Sequence, residues 1–163
     1  MITTTFNLKI MTVYLDEQIP EITITYKQMI PLASEVKINT WLCVVDLIKQ
    51  TWDQNTIEVQ EEFKVIYLNN RNIVKGIYTL SRGGLTGTIV DIRLIFAIAL
   101  KSLSCQLIIT HNHPSSACKP SQADIEITKK IKSAGELLDI KVVDHIIVTP
   151  HGTHFSFMNE GIL

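Results

Sequence analysis

The chain has 163 residues, and its 15 lysine and arginine residues against 16 aspartate and glutamate residues give a formal net charge of -1. Hydrophobic residues make up 46% of the sequence and charged residues 19%, which excludes disorder as a description of the whole chain. The length suits one domain with a small appendage, and the near-zero net charge argues against a nucleic-acid partner held by a generally basic surface.

Three cysteines lie far apart and form no C-x-x-C pair: Cys43, Cys105 and Cys118. An odd number of distant cysteines is typical of reduced thiols rather than of a disulfide framework. The first residues lack the basic and apolar regions of a secretory signal, and the longest apolar stretch, 94–100, is too short to cross a bilayer. We therefore expect a cytoplasmic protein without a membrane partner.

The first half of the chain predicts strands, one helix and a hairpin. Residues 1–38 have the pattern of irregular strands interrupted by prolines. Apolar residues recur with the helical period over 40–52, and Asn39 is a plausible N-cap for this helix. Alternating residues at 61–68 and 73–80, joined by an asparagine-rich turn, predict two strands paired as a hairpin.

The second half predicts alternating helices and strands. Residues 91–103 form a helix that is apolar on nearly every side and is therefore expected to be buried. The short apolar run 106–110 is typical of a strand in the middle of a covered sheet. An amphipathic helix over 121–139, a strand over 142–148 and a closing strand over 153–157 follow. This order predicts an α/β fold, with helices packed on a mixed sheet.

Two histidines and an aspartate stand where a metal site would need them. His111 and His113 follow the apolar strand, and extended backbone places residues two apart on the same side. Pro114 restricts His113 to an extended conformation. Asp124 comes eleven positions later, in the first turn of the next predicted helix. Three such ligands leave a fourth position for water, which is typical of a catalytic rather than a structural zinc site.

Ordinary structural explanations exist for each part of this pattern. Ser121-x-x-Asp124 alone is a common helix-capping arrangement, and an isolated H-x-H pair seldom binds metal. The joint pattern favours a metal site. The chain has only 5 histidines, and the occurrence of two of them in one short tract with the proline, the serine and the aspartate would rarely arise by chance.

The tract His111-x-His113-Pro114, with Ser121 and Asp124, resembles the JAMM (MPN-plus) metalloprotease signature, and within it the bacterial RadC-like branch. The resemblance extends from Glu61 to Leu163. It implies a cytidine-deaminase-like three-layer α/β fold. It also implies a zinc-dependent hydrolase of peptide or isopeptide bonds, whose partner is a protein or peptide substrate.

The sequence departs from the family pattern in two places. Ser116 replaces a glycine of the usual His-Pro-Ser-Gly tract, which would add strain if the turn requires a positive φ. The basic helix-hairpin-helix region of long RadC-like members is not apparent. Residues 1–55 instead have the pattern of a short β and helix lead that packs on the main domain, 56–163.

The resemblance also implies roles for individual residues. Glu61, two positions before an aromatic residue, corresponds to the general base that activates the zinc-bound water, although an exposed strand-end acid is the alternative. Glu62 alternates to the opposite face, where we expect solvent exposure. Ser121 corresponds to the donor on the oxyanion side. Asp144 could orient a metal-bound imidazole, or it could form a purely structural pair with His145.

Three functions remain open at this point. The intact ligand set and the candidate base favour a zinc hydrolase. A non-catalytic zinc-binding interaction module would keep the fold without turnover. A DNA-repair-associated accessory factor rests on the family label alone. His151, His154 and Cys118 are expected to lie outside the site.

Overall fold

The computed structural model describes residues 35–84 and 87–163, and within them three helices and five strands form a single sheet-based fold. In chain order the elements are α1 (Trp41–Thr51), β1 (Glu62–Leu68), β2 (Val74–Arg82), α2 (Ile92–Lys101), β3 (Gln106–Asn112), α3 (Gln122–Leu137), β4 (Lys141–Val148) and β5 (His154–Ser156). The strands predicted before residue 35 lie outside the described residues.

The sheet is mixed, as the sequence predicts, with the strand order β2-β1-β3-β4-β5. β1 pairs antiparallel with both β2 and β3, β3 pairs parallel with β4, and β5 returns antiparallel to β4. The apolar strand β3 therefore lies at the centre. Because β3 and β4 run in the same direction, their C-terminal ends meet at one edge of the sheet.

Apolar side chains on the two faces of the sheet form two separate cores, so the fold has three layers. Helices α2 and α3 cover one face, where the core residues include Phe63, Val65, Ile95, Ile109 and Ile131. Helix α1 covers the other face, where they include Val44, Ile48, Ile66, Ile108 and Ile146. This arrangement confirms the predicted three-layer α/β architecture.

Two details differ from the prediction. Helix α1 is capped by Thr40 rather than by Asn39, because Thr40 has extended backbone and its hydroxyl accepts a hydrogen bond from the backbone N–H of Cys43 at 3.4 Å. Helix α2 is not buried on all sides, since Leu94 and Leu100 are 38% and 53% exposed. It lies in an outer layer, so only the stripe that faces the sheet is covered.

One irregularity in β4 decides which side chains face α3. Leu107 pairs with Val142 and Ile108 pairs with Asp144, so β4 has one extra residue, Val143, at this point. A bulge of this kind reverses the alternation of the residues that follow it. His145 is thereby placed on the α2 and α3 face. None of the helices in the described ranges combines the length and hydropathy that a membrane crossing needs.

Candidate metal centre

Three side chains converge just beyond the C-terminal end of β3. Nε2 of His111 lies 2.9 Å from Nε2 of His113 and 3.2 Å from Oδ1 of Asp124. Nε2 of His113 lies 3.5 Å from Oδ2 of Asp124. Ligand atoms around a tetrahedral zinc ion are separated by about 3.3 Å, so the spacing of this trio fits a metal ion. The three residues form a group that could hold one.

Backbone hydrogen bonds fix the second histidine. The N–H of His113 donates to the carbonyl of Val148 at 2.9 Å, which continues the β3–β4 ladder past the end of the strand. The N–H of Ser116 donates to the carbonyl of His113 at 3.0 Å and closes a turn. Ser116 has a φ of 64°, a left-handed conformation that glycine adopts at lower cost. The strain predicted for this substitution is therefore present.

The third candidate ligand is positioned by the start of α3. Ser121 is the N-cap, and its hydroxyl accepts from the backbone N–H of Asp124 at 3.2 Å. The same hydroxyl and the backbone N–H of Ser121 both donate to Oδ2 of Asp124 at 2.7 Å. This capping box orients the carboxylate. The single hydroxyl proton of Ser121 is thus engaged, and donation to a substrate oxygen requires it to leave Asp124.

The outward-facing nitrogen of each histidine also has a partner. Nδ1 of His113 contacts the backbone carbonyl of Ala117. Nδ1 of His111 lies 2.8 Å from Nε2 of His145, whose own Nδ1 lies 2.6 Å from the hydroxyl of Thr128. Partners of this kind hold metal-binding imidazoles in a defined orientation, so both rings are arranged to present Nε2 to the cavity.

The suggestion that Asp144 orients a metal-binding histidine is wrong. Its carboxylate accepts from the backbone N–H groups of His145 and Met158, at 2.7 and 3.0 Å, and from the Ser156 hydroxyl at 2.6 Å. Asp144 therefore anchors the C-terminal segment, which is the structural alternative. The bulge in β4 explains the difference, because it places His145 rather than Asp144 on the face of His111.

Charge interactions shift the pKa values within the cluster. Burial alone would raise the pKa of the Asp124 carboxyl, but hydrogen bonds with His111 and His113 lower it far below its ordinary value. The hydrogen bond to Asp124 in turn raises the pKa of His113. Burial lowers the pKa of His145 well below its ordinary value, and that imidazole is therefore neutral. The carboxylate is accordingly ionised and available as a ligand at neutral pH.

Glu61 lies at the same edge of the sheet, immediately before β1. Its N–H donates to the carbonyl of Gly84 at 3.0 Å, and its carbonyl accepts from the N–H of Gly83 at 2.8 Å. A side chain on Gly83 would place Cβ 2.0 Å from the carbonyl oxygen of Gly87, so this close approach requires glycine. The loop after β2 thus fixes the backbone of Glu61.

The side chain of Glu61 faces the candidate metal ligands. It lines a cavity of about 550 Å³ together with His111, His113, Ser121 and Asp124. Burial raises the pKa of its carboxyl, and the two histidines oppose that shift only in part. A carboxyl with a raised pKa beside a ligand cluster has the properties of a proton acceptor.

Glu62 faces away from this cavity, as alternation predicts, but the expected solvent exposure is wrong. The residue is only 3% exposed. Its carboxylate lies 3.1 Å from Nζ of Lys64 and 2.9 Å from Nε of Arg82. The carboxylate is thus paired with two cations, and the contact with Arg82, which comes from β2, is one that local sequence does not reveal.

The remaining candidates lie apart from the cluster. His151 is exposed, and the ring of His154 lies 5.2 Å from that of Trp41. Cys118 is partly exposed, and all three cysteines are free. In the described part of the chain, none of these residues belongs to a group of side chains that could hold a metal ion.

Sequence reasoning missed Thr128 and the contact made by His145. The position of Thr128 was available in principle, because it follows Asp124 by four residues and so lies one helical turn further on the same face. The contact between His145 and His111 could not be predicted from the sequence, because it depends on the parallel register of β3 with β4 and on the bulge in β4.

Comparison with known proteins agrees with this geometry. The family model described as "RadC-like JAB domain" matches residues 38–162. Among similar proteins, a UPF0758 protein of Flavobacterium johnsoniae is 54% identical over 102 residues, which are 63% of this chain and 44% of that protein. A UPF0758 protein of Clostridium botulinum (strain Langeland) is 42% identical over 124 residues, which are 76% of this chain and 51% of that protein. The chain spans about half the length of the curated relatives it matches.

Proposed function

The chain belongs to the RadC-like JAB domain family, and we propose that it is a zinc-dependent hydrolase of peptide or isopeptide bonds. One observation carries this proposal. Two imidazole nitrogens and a carboxylate converge on a single cavity, and the half-buried Glu61 lines the same cavity. The substrate that we propose is a protein or peptide.

The donor set supports zinc as the metal. Two imidazoles and one carboxylate are three ligands of the kind that catalytic zinc sites use, and they leave a position for water or substrate. In this proposal His111, His113 and Asp124 hold the ion. When bound there, zinc would lower the pKa of a water molecule and polarise the carbonyl of the scissile bond.

Glu61 is the proton carrier of the proposed mechanism. Its carboxylate accepts a proton as the water oxygen adds to the carbonyl carbon of the substrate. The same carboxyl then donates the proton to the departing nitrogen as the carbon–nitrogen bond breaks, so that an acid and an amine are released. The raised pKa of Glu61 supports the first step, because it makes the carboxylate a stronger base.

Ser121 has a second role in this mechanism. As negative charge develops on the substrate oxygen, the hydroxyl would turn from Asp124 towards that oxygen and donate to it. The exposed position of Ser121 at the rim of the cavity supports this movement. The backbone N–H of Ser121 would keep its own hydrogen bond to Asp124, so the ligand would remain oriented.

A substrate screen tests the proposal. The zinc-loaded chain is incubated with a library of linear and isopeptide-linked peptides, and Glu61→Gln is the matched control. We expect cleavage that a chelator abolishes, that added zinc restores and that the variant lacks. If zinc-loaded wild type cleaves nothing, the hydrolase is contradicted and the non-catalytic zinc-binding module is favoured.

A further inference from the structure

We propose that His145 and Thr128 are positioning residues that hold the His111 imidazole in the tautomer whose Nε2 lone pair faces the metal. The inference rests on the proposed metal site and adds to it a hydrogen-bond chain that does not touch the metal. This hydrogen-bond chain runs from His111 in β3 through His145 in β4 to Thr128 in α3.

The chain of contacts is buried and continuous. Nδ1 of His111 lies 2.8 Å from Nε2 of His145, and Nδ1 of His145 lies 2.6 Å from Oγ1 of Thr128. Oγ1 of Thr128 also contacts the backbone carbonyl of Asp124. His111, His145 and Thr128 are 1%, 0% and 2% exposed. Water therefore has no access to these nitrogens as an alternative partner.

The backbone carbonyl at the end of the chain sets the direction of every hydrogen bond. A carbonyl only accepts, so the single hydroxyl proton of Thr128 must point to Asp124. The hydroxyl can then only accept from His145, whose proton lies on Nδ1. The His145 ring is 0% exposed, with Phe157 and Phe63 against its faces, an environment that favours the uncharged ring with one proton; its Nε2 is then left as an acceptor and receives the Nδ1–H of His111. The Nε2 of His111 consequently carries the lone pair that a metal requires.

Two aromatic side chains keep His145 in place. Phe157 stacks on its ring with centroids 4.6 Å apart and planes inclined by 19°, and Phe63 lies 5.8 Å away on a tilted plane. The ring faces are thus covered by carbon, and the two nitrogens are directed at His111 and Thr128. The chain also links β3 to the first turns of α3, which are the two elements that carry the candidate ligands.

The test compares two substitutions of Thr128 in the full 163-residue chain. Thr128→Val keeps the shape and removes the hydroxyl, whereas Thr128→Ser keeps the hydroxyl and removes the methyl group. The affinity for Zn²⁺ is measured by chelator competition, and the visible absorption spectrum of the Co²⁺ form reports the ligand geometry. The unfolding temperature of the metal-free proteins is recorded beside both.

We expect Thr128→Ser to bind Zn²⁺ as wild type does. Thr128→Val should bind about 10–100-fold more weakly and show an altered Co²⁺ spectrum, because the loss of a partner behind the ligands typically has that effect. A role in packing alone predicts the reverse order of the two variants. Wild-type affinity and spectrum in Thr128→Val would overturn the inference while leaving the metal site intact.

A second pair covers the case in which Thr128→Val does not fold. His145→Gln places an amide oxygen near the former Nε2, so it can still accept from His111, whereas His145→Leu cannot. Tighter Zn²⁺ binding by His145→Gln than by His145→Leu supports the hydrogen-bond chain, and equal affinities of the two variants overturn it. If wild type itself binds no Zn²⁺, the proposed function fails and this inference fails with it.

Discussion

Strands β1 and β3 carry polar side chains on both faces, and the two sets differ in what surrounds them. On the face towards α3, Glu61 and His111 line a cavity of about 550 Å³, and Nε2 of His111 lies 2.9 Å from His113 and 3.2 Å from Asp124. The acceptor atoms of this set converge on a common point. Their mutual contacts leave room for a cation.

On the face towards α1, the charged and amide groups of the corresponding set have partners of opposite character, whereas the buried hydroxyl of Thr110 has no hydrogen-bond partner among the described residues. Nζ of Lys64 lies 3.1 Å from Glu62, donates to the carbonyl of Thr51 at 2.8 Å and lies 4.2 Å above the ring of Trp52. Asn112 accepts from the N–H of Glu62 at 2.7 Å and donates to two backbone carbonyls at 2.8 Å. The Lys64 ammonium and the Asn112 amide are thus satisfied without a ligand.

Residues adjacent in the sequence thus have different roles, one at the candidate metal site and one in the stability of the fold. Glu61 is followed by Glu62, and His111 is followed by Asn112. The polar atoms of these two neighbours are paired with other groups of the protein. Buried polar groups that satisfy one another stabilise a fold, whereas metal-ligating atoms that converge on a common cavity indicate a binding site. Substitutions on the two faces should therefore have opposite consequences for metal binding and for stability.

The largest effect is expected from the ligands themselves. His111→Ala and Asp124→Ala should each weaken zinc binding by at least about 100-fold. Loss of one of three ligands should lower the affinity more than loss of a residue that only hydrogen-bonds to a ligand. Zinc affinity by chelator competition is the measurement.

Asn112→Ala is the matched control on the opposite face. It should keep zinc binding and lower the free energy of unfolding by about 2–4 kcal/mol through three lost hydrogen bonds. Tightly held, stoichiometric zinc in either ligand variant would remove that residue from the ligand set.

The next effect concerns catalysis without loss of the metal. Glu61→Gln preserves the shape of the side chain and removes the proton acceptor, so zinc content should be unchanged. The rate of hydrolysis should fall about 10²–10⁴-fold. Zinc content and activity are measured on the same preparation, and full activity of Glu61→Gln would show that the water is activated in another way.

Glu62→Gln should have the opposite profile. It leaves the buried ammonium group of Lys64 without its carboxylate, which should lower the free energy of unfolding by about 3 kcal/mol. Zinc content and activity per folded molecule should stay at the wild-type level. Denaturant unfolding monitored with and without zinc measures the effect. An inactive but stable Glu62→Gln would reverse the assignment of the two faces.

The smallest effect is expected at the turn that carries His113. Ser116→Gly removes the left-handed strain at a φ of 64°, and it should raise the free energy of unfolding by up to about 1 kcal/mol. Ser115→Gly is the neighbouring control and should not stabilise the chain. Equal effects of the two substitutions in denaturant unfolding would show that the turn is not strained.

Short-range patterns in the amino-acid sequence allowed much of this architecture to be predicted. The helical and alternating periods predict the elements of the described residues and a mixed sheet with helices packed on it, and the spacing from His111 to Asp124 predicts the cluster. The three layers were implied by the family resemblance. Contacts between distant segments were not accessible in this way. Arg82 reaches Glu62 from another strand, and the face of His145 depends on a bulge at Val143 that no local pattern marks.

The zinc content of the protein, purified without added metal, tests the central claim most directly. Wild type and His113→Ala are compared by elemental analysis, with the fold of each checked by circular dichroism. We expect about one zinc ion per chain in wild type and none in the folded variant. Zinc absent from wild type even after loading, or retained by His113→Ala, would contradict the assignment of this cluster as a metal centre.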